Sequence, residues 1–217
     1  MTNYSNIILE LQYLPPLQYF TKFVKYEQVS IEQHENYIKG SYRNRCYIYG
    51  SHGPLRLSIP LLKGKNEQQN IREVQIASRE AWEAHHWQSI QSAYGNAPFF
   101  EFYADDFRPV FEKKHKYLFD LNWQLLELIL PFLGLDTFPK LTSEYQKAYL
   151  APNFDFRNGI FPKKHRQKED PYFQPQAYPQ VFAEKKGFVP NLSILDLLFC
   201  TGPEAGLILE RNTVMTN

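Results

Sequence analysis

The sequence predicts an α/β fold, in which an N-terminal βαβ-like sheet and a hairpin pack against a helical, bundle-like half; an α+β arrangement is the alternative. A β-branched apolar run at 7–11, a helical pattern at 17–24 and an alternating run at 28–32 form a βαβ unit, whose crossover should be right-handed. Alternation then resumes on both sides of a Gly-Ser-His-Gly turn at 50–53. Apolar residues between 78 and 133 recur at helical spacing.

The chain length and composition predict one domain over residues 1–217. With 217 residues, 43% of them hydrophobic, the chain is long enough to bury a sizeable core. We expect residues 1–76 to be mixed α/β, residues 77–135 to be helical, and residues 136–217 to form an irregular loop followed by a C-terminal helix.

The composition also limits the class of protein. A net charge of +1 argues against a nucleic-acid binder, which needs a basic excess. Cys46 and Cys200 lie outside any CxxC spacing, so no disulfide framework, metal site or cofactor is assigned. The first residues lack a signal-peptide pattern, and the apolar run at 125–135 is too short to span a bilayer. We expect a soluble, cytoplasmic protein without membrane insertion.

The end of the first strand is a candidate ligand site. Pro15 ends the strand because proline has no N–H for the ladder, and Pro16 suits the first turn of a helix. Ligands of βαβ units gather beyond the carboxyl end of a strand, which places Gln12, Tyr13 and Leu14 at a candidate mouth. The alternative is a tight strand-to-helix connection. The absence of glycines here argues against a phosphate cradle.

Arg43, Asn44 and Arg45 lie among aromatic residues in a run that alternates as a strand does. Two guanidiniums that bracket an amide could hold a planar or anionic ligand. The alternative is that the arginines are the solvated ends of an edge strand.

Beyond the hairpin turn, Leu55, Leu57 and Ile59 alternate and predict one buried face. A further strand at 71–76 is predicted, although its apolar residues do not alternate strictly.

Two helices are predicted in the middle of the chain. Ser78 is expected to cap the first, which reaches about Tyr94 and stops at Gly95. Its apolar stripe contains Trp82, His86, Ile90 and Ala93, with His85 beside it. Adjacent histidines point to different faces, so this pair is a poor metal site, and packed or surface histidines are the usual interpretation.

The second helix is expected to start at Asp105 or Asp106, with Pro109 in its first turn, and to run to Leu133 before Gly134.

The last third of the chain is less regular. Residues 152–179 are rich in proline, aromatic and charged residues and predict a long irregular excursion, which is functional or disordered in such proteins. Its basic run at 163–168 is a solvated loop or a lid over an anionic substrate. Thr142 and Ser143 follow a short extended segment, where they provide a cap or a ligand contact.

A short amphipathic helix follows Asn191 and Ser193, either of which can cap it, and Gly202 stops it.

Short motifs in a fixed order run along essentially the whole chain. They are Tyr13–Leu14–Pro15, Tyr19–Phe20, Arg43–Asn44–Arg45, Leu57–Ser58–Ile59–Pro60, His86–Trp87, Ala93–Tyr94, Ala97–Pro98–Phe99–Phe100 and the segment 190–199. Together they resemble the WbqC-like protein family. Many members begin with His-Gln-Pro before Tyr-Leu-Pro, where this chain has Leu-Glu-Leu-Gln.

The resemblance implies a function. Members often lie in bacterial gene clusters for O-antigen and surface polysaccharides, and transfer of an amino-acid group such as glycine to a sugar has been suggested. The chain is then a transferase, of aminoacyl or glycyl type, acting on a sugar or an activated amino-acid intermediate. The alternative is a non-catalytic protein that binds carbohydrate or nucleotide sugar, or a scaffold. Small-molecule or sugar substrates are the expected partners, and nucleic acid is not.

The start of the chain also loosely resembles nucleotidyltransferases with a His-x-x-His turn, although Tyr13 and Pro16 replace the histidines. By this resemblance, Thr142 and Ser143 occupy the positions of the phosphate-binding Ser/Thr pair of those nucleotidyltransferases.

Roles can be assigned on this basis. His86 is the candidate general base and Asp196 its orienting residue. Arg43 and Arg45 are expected to hold a phosphate or carboxylate, which Asn44 orients. The expected ligand-binding residues are Tyr13, Arg43, Asn44, Arg45, Ser143, Asn191 and Ser193.

Overall fold

A computed structural model of the chain describes residues 5–62, 68–78 and 81–215. It contains both helices and strands, which confirms the predicted mixed class. In chain order the elements are β1 (Asn6–Glu10), α1 (Leu17–Lys25), β2 (Gln28–Glu32), β3 (Arg45–Gly50), β4 (Gly53–Ser58), α2 (Trp82–Tyr94), α3 (Phe100–Glu112), α4 (Leu118–Phe132), β5 (Lys140–Leu141), β6 (Asn153–Asp155), α5 (Ala183–Lys186), α6 (Ile194–Thr201) and α7 (Ala205–Arg211).

Four strands form a parallel sheet in the order β5-β2-β1-β6. The predicted βαβ unit is confirmed: β1 and β2 run parallel, from Asn6 opposite Gln28 to Glu10 opposite Glu32. β6 pairs in parallel with β1, and β5 with β2. All four strands therefore end at the same edge of the sheet, and this edge positions the site.

The predicted hairpin is also confirmed, as the antiparallel pair β3 and β4. Arg43 and Asn44, however, lie in a 3₁₀ turn at Tyr42–Asn44 before β3, so their assignment to a strand is wrong. The Ser41 side chain accepts a hydrogen bond from the Arg43 backbone N–H and thereby stabilises the turn. Leu55 is 42% exposed because it borders an open cleft beside α2, so only part of the predicted face is buried.

The prediction of a strand at 71–76 is wrong. Residues Ile71–Glu73 form a 3₁₀ turn, because Asn70 accepts a hydrogen bond from the backbone N–H of Arg72 and caps it. The apolar side chains that suggested a strand, Ile71, Val74 and Ile76, are all buried, but only Ile76 lies at an isolated bridge, where it pairs with Leu61.

The helices differ from the prediction at their starts. α2 begins at Trp82 rather than after Ser78, and residues 79–80 lie outside the described parts. Asp105 and Asp106 do not cap a helix, since they lie inside α3. The expected single long helix is two helices, α3 and α4, with Pro109 near the end of α3. Proline removes one helical hydrogen bond, and α3 ends one turn later.

α3 begins in an aromatic segment of the chain. Its buried residues recur at helical spacing; they are Phe100, Tyr103, Phe107, Val110 and Phe111. Burial of these side chains against the core stabilises the helix, although Phe99 provides no side-chain hydrogen bond to cap its N-terminus. None of the described helices is long and apolar enough to cross a membrane.

The irregular excursion at 152–179 contains β6, which the sequence did not reveal. The C-terminal helix is confirmed as α6, and Ser193 caps it by accepting a hydrogen bond from the Leu195 N–H. α7 follows and was not predicted.

Phe199 joins α6 to the other helices. Its ring centroid lies 5.4 Å from that of Tyr94, 5.2 Å from Phe100 and 5.8 Å from Phe107. The side chain is fully buried, so it anchors the C-terminal helices on α2 and α3. Both cysteines are free thiols and are buried in the interior.

We predict that Gly202→Ala destabilises the protein more than Gly134→Ala. Both glycines have positive φ angles, of 55° and 67°, so alanine carries a backbone cost of about 1–2 kcal/mol at each. At Gly202 a Cβ would also lie 2.3 Å from the Phe99 ring, which adds about 1–3 kcal/mol of overpacking. Chemical denaturation measures both variants, and equal losses would contradict the steric argument.

Candidate functional site

Acidic residues end three adjacent strands of the parallel sheet. Glu10 ends β1, Glu32 ends β2 and Asp155 ends β6. Glu10 is 1% exposed and Glu32 is fully buried. In open α/β sheets, ligands bind outside the carboxyl ends of the strands, so this edge is the first place to look for a site.

Glu32 is held by four donors. Its Oε1 accepts from the Thr142 hydroxyl at 2.9 Å and from the His34 backbone N–H at 2.8 Å. Its Oε2 accepts from the Tyr149 hydroxyl at 3.0 Å and from Arg157 Nη1 at 3.1 Å. A buried carboxylate with this many donors is fixed in position.

Arg157 joins the ends of β2 and β6. It donates to both carboxylate oxygens of Asp155, from Nε at 2.9 Å and from Nη2 at 2.6 Å. Burial alone would raise the pKa of Asp155, but these bonds to the guanidinium lower it. The guanidinium also lies over the rings of Tyr145 and Tyr149, at 5.4 and 4.9 Å from their centroids.

Arg43 is fully buried and pairs with Glu35. Its Nε and Nη2 donate to the two carboxylate oxygens at 2.7 and 2.6 Å. Burial raises the pKa of Glu35, although Arg43 opposes the shift, and the charges of Glu10 and Glu32 add to it. Arg43 is thus neither a solvated strand end nor an exposed ligand contact. Its Nη1 has no hydrogen-bond partner within the described residues.

Glu10 has no guanidinium of its own among the described ion pairs. Its Oε1 accepts from Gln12 Nε2 at 2.6 Å, and its Oε2 accepts from the Asn158 backbone N–H at 2.7 Å. Gln12 Oε1 and Asn158 Oδ1 are buried acceptors without a hydrogen-bond partner in the described ranges. Buried polar groups are normally paired, so these acceptors are available for a hydrogen bond from water or from a ligand group.

A cleft of about 530 Å³ opens at this edge of the sheet. Its buried or half-buried polar residues, here called the floor, are Glu35, Asp155, Arg157 and Asn158. Its exposed residues, here called the rim, include Tyr145, Lys147 and Lys168. Glu10, Glu32 and Arg43 lie behind the floor and are hydrogen-bonded to it, and Gln12 is hydrogen-bonded to Glu10. The cleft is therefore acidic and amide-rich inside and basic at its rim.

The other two residues of the arginine triplet stabilise the hairpin. Asn44 Nδ2 donates to the Ile59 carbonyl at 2.9 Å, and the Asn44 carbonyl accepts from the Ile59 N–H at 2.8 Å. Arg45 is half-buried, and its Nη2 contacts Asn44 Oδ1 at 3.4 Å. Only Arg43 reaches the cleft, through Glu35.

Tyr13 and His86 are brought together away from this cleft. The Tyr13 hydroxyl lies 2.8 Å from His86 Nδ1, and both side chains are buried. Burial lowers the pKa of His86 to about 4, although a hydrogen bond with the Ser58 backbone opposes the shift. The imidazole is therefore neutral at pH 7. Neither residue lines any of the three clefts found among the described residues, and the role of His86 as general base stays a prediction.

Asn191 and Ser193 lie at the N-terminus of α1. Asn191 Oδ1 accepts from the Gln18 backbone N–H at 2.9 Å, and Asn191 Nδ2 donates to Gln18 Oε1 at 3.0 Å. Ser193 donates its backbone N–H to the Tyr47 carbonyl at 2.8 Å. These contacts join the C-terminal segment to α1 and β3. Ser143 is exposed and follows Thr142, whose hydroxyl contacts Glu32 behind the floor.

Asp196 lies in a separate buried cluster. Its carboxylate accepts from the hydroxyls of Tyr94 and Tyr178, at 2.9 and 2.8 Å, and from Gln180 Nε2 at 2.7 Å. Burial raises the pKa of Asp196 to about 6, although the three hydrogen bonds oppose the shift. The cluster holds α2, α6 and the segment around Tyr178 together.

Sequence reasoning missed most of the cleft. It did not single out Glu10, Glu32, Asp155 or Arg157. The signal was present, because each acid stands at the carboxyl end of a strand of one parallel sheet. Within residues 5–62, 68–78 and 81–215, no three His, Cys, Asp or Glu side chains are grouped so as to hold a metal ion.

Comparison with known proteins gives two findings. The model of the WbqC-like protein family matches residues 12–154 and 163–208. The chain is also similar to a Mycobacterium tuberculosis (strain ATCC 25618 / H37Rv) protein described as "Uncharacterized protein Rv1507c". The two are 27% identical over 218 residues, which cover 91% of this chain and 94% of that protein. No solved structure matches the chain.

We predict that Arg43→Ala lowers the free energy of unfolding by about 3–5 kcal/mol, because it leaves Glu35 as an unpaired buried charge. Arg45→Ala is the matched control; Arg45 is half-buried and forms no described ion pair, so the expected loss is below about 1 kcal/mol. Urea denaturation at pH 7 measures both. Similar losses for the two variants would contradict the importance of the buried pair.

We predict that Asp196→Asn changes how stability depends on pH. The folded carboxyl binds a proton below its pKa of about 6, whereas the unfolded one does so only below about 4. The native state therefore loses stability from this group as pH rises from about 4 to 6.

The free energy of unfolding of the wild type minus that of the variant should fall over this window, by about 3 kcal/mol. Denaturation at each pH measures the difference. Asp106→Asn, at an exposed position of α3, is the control for the substitution itself. If the difference between wild type and Asp196→Asn does not change with pH, the raised pKa of Asp196 is wrong.

Proposed function

The chain belongs to the WbqC-like protein family, and on that premise we propose that it is a transferase in bacterial surface-polysaccharide biosynthesis. Its substrate is a sugar or an activated amino-acid intermediate, as the O-antigen gene clusters of the family imply. The observation that carries the proposal is the cleft at the carboxyl edge of the parallel sheet, where charged side chains from three strands meet.

The rim suits an anionic activating group. Lys147 and Lys168 are exposed at the cleft, and Arg157 lies in the floor beside them. Ammonium and guanidinium groups in this arrangement bind a phosphate or diphosphate. Tyr145 is 55% exposed at the same rim and offers an aromatic face on which a sugar ring can stack.

The floor suits a polar substrate body. Glu35, Asp155 and Asn158 present carboxylate and amide oxygens that accept hydrogen bonds from hydroxyl or amino groups. The cleft volume of about 530 Å³ lies within the range of small-molecule sites, about 300–1,000 Å³.

Transfer of a group to a hydroxyl or an amine needs a proton acceptor. Glu35 borders the cleft, burial raises its pKa, and Arg43 fixes its orientation. We place Glu35 in the role of general base. The alternative base is His86, which the sequence suggested; Asp196, its expected orienting residue, is bonded to Tyr94, Tyr178 and Gln180 instead. Comparing turnover by Glu35→Gln and His86→Gln distinguishes the two.

A second candidate function is sugar binding without catalysis. Both oxygens of Glu35 accept hydrogen bonds from Arg43, and both oxygens of Asp155 accept from Arg157. Among the described residues, the floor carboxylates are thus already engaged, which favours a binding surface over a reactive centre.

A ligand screen separates these functions. Thermal shift is measured with nucleoside triphosphates, nucleotide sugars, sugar phosphates and amino acids, and turnover is followed as release of pyrophosphate or nucleotide. Stabilisation together with turnover supports the transferase. Stabilisation by sugars alone supports the binding protein, and no stabilisation by any phosphorylated or sugar ligand overturns both.

We predict that the double variant Lys147→Gln/Lys168→Gln weakens binding of phosphorylated ligands about tenfold, because charge-assisted contacts to phosphate are lost. The double variant Lys185→Gln/Lys186→Gln, at exposed positions of α5, is the matched control. Isothermal titration calorimetry with a ligand from the screen measures both. Equal affinities for the two double variants would place the anionic group elsewhere.

A further inference from the structure

The carboxylates at the floor of the cleft and behind it outnumber the buried cations that face them. Glu10, Glu32, Glu35 and Asp155 carry four negative charges. The buried cations paired with them, among the described residues, are Arg43 and Arg157. Lys168 is exposed; its Nζ donates to the Asp155 backbone carbonyl, and its charge helps to lower the pKa of the Asp155 carboxyl. The cations near these four acids are thus still one fewer than the acids. Burying charge without compensation is costly, so the imbalance favours a cation in the bound state.

The imbalance is greatest at Glu10. Arg43 is bonded to Glu35 and Arg157 to Asp155 and Glu32, so each of these acids has a guanidinium. Glu10, which is 1% exposed, accepts hydrogen bonds from the Gln12 amide and the Asn158 N–H. Among the described residues no guanidinium is bonded to it; the charge of Arg43 acts on it at longer range, while Arg43 itself is bonded to Glu35.

Two unpartnered acceptors stand beside the same carboxylate. Gln12 is 1% exposed, and its Nε2 bonds to Glu10, so its orphaned Oε1 belongs to an amide held against that carboxylate. Asn158 lines the cleft, its backbone N–H bonds to the other oxygen of Glu10, and its buried Oδ1 is also unpaired. Glu10, Gln12 and Asn158 thus offer one negative charge and two neutral hydrogen-bond acceptors. A ligand group that matches them carries several hydrogen-bond donors.

A protonated primary amine meets this need. An ammonium group has three N–H donors and one positive charge, whereas a hydroxyl has one donor and no charge. We propose that Asn158 in the floor, with Glu10 and Gln12 directly behind it, recognises a primary ammonium group on the substrate; these three residues are here called the inner end of the cleft. The inference rests on the proposed function, since it concerns the same cleft.

The amine can belong to an amino sugar or to an amino acid, and two matched ligand pairs distinguish these sources. Glucosamine 6-phosphate and glucose 6-phosphate differ only in an ammonium or a hydroxyl at one carbon. O-phosphoserine and 3-phosphoglycerate differ in the same way without a sugar ring. Each ligand carries a phosphate for the rim. Affinities are measured by isothermal titration calorimetry at pH 7 on the full chain.

We expect the amine member of at least one pair to bind about 10- to 100-fold more tightly than its hydroxyl partner, as for a hydrogen bond to a buried charge. Preference in the first pair identifies an amino sugar, and preference only in the second an amino acid. N-acetylglucosamine 6-phosphate, which has lost the charge, should bind the wild type no more tightly than glucose 6-phosphate.

Glu10→Gln should reduce the amine preference, measured as the ratio of the two affinities within a pair, to below about threefold, because the charge at the inner end is removed. Glu101→Gln, at an exposed position of α3, is the matched control. The comparison with N-acetylglucosamine 6-phosphate uses the wild type, so it tests the ammonium site even if Glu10→Gln does not fold.

Equal binding of the amine and hydroxyl members, with affinity that still depends on Lys147 and Lys168, overturns the ammonium site and leaves the proposed function standing. Failure of all these phosphorylated ligands to bind overturns the ammonium site, and failure of every ligand of the wider screen as well overturns the proposed function too.

Discussion

The need to pair buried carboxylates at one edge of the sheet determines the course of much of the chain. β1, β2 and β6 are parallel, so their terminal acids Glu10, Glu32 and Asp155 meet at the same edge. An uncompensated buried charge costs several kcal/mol, and partners must therefore arrive from elsewhere. Arg157 comes from the irregular excursion, and Arg43, which pairs with the nearby Glu35, comes from the turn before the hairpin. Segments without regular structure are thus fixed by charge as much as by apolar packing.

Local patterns in the sequence were sufficient to predict the secondary structure of the N-terminal part of the chain. The first strand, helix and second strand follow from apolar periodicity and from Pro15 and Pro16, and β2 has the predicted bounds. The wrong predictions concern segments whose structure depends on contacts with residues far away in the sequence. Pro109 looked like a helix start but lies near the end of α3, whose aromatic residues are buried by α6. β6 has three residues and becomes recognisable as a strand only beside β1.

The candidate site was less accessible from the sequence, because the roles of its residues depend on their neighbours. Arg43 has the chemistry of an anion site, yet Glu35 occupies two of its three guanidinium nitrogens. His86 is adjacent to Tyr13, and Asp196 lies under two tyrosines, so each forms a cluster of its own. The rule that ligands bind at the carboxyl ends of parallel strands would have pointed to the acids of β1 and β2, once their pairing was assumed.

The bonds from Asn191 to Gln18, and from the Leu192 carbonyl to the Leu17 N–H, have a consequence for synthesis on the ribosome. The start of α1 is completed by residues that are translated more than 170 positions later, and β1 gains its partner β6 almost 150 positions later. At about 5–20 residues per second, the nascent N-terminal segment stays without these contacts for many seconds. Contacts of such long sequence separation also slow folding. The N-terminal βαβ unit reaches its final form only after the segment at 191–193 has been made.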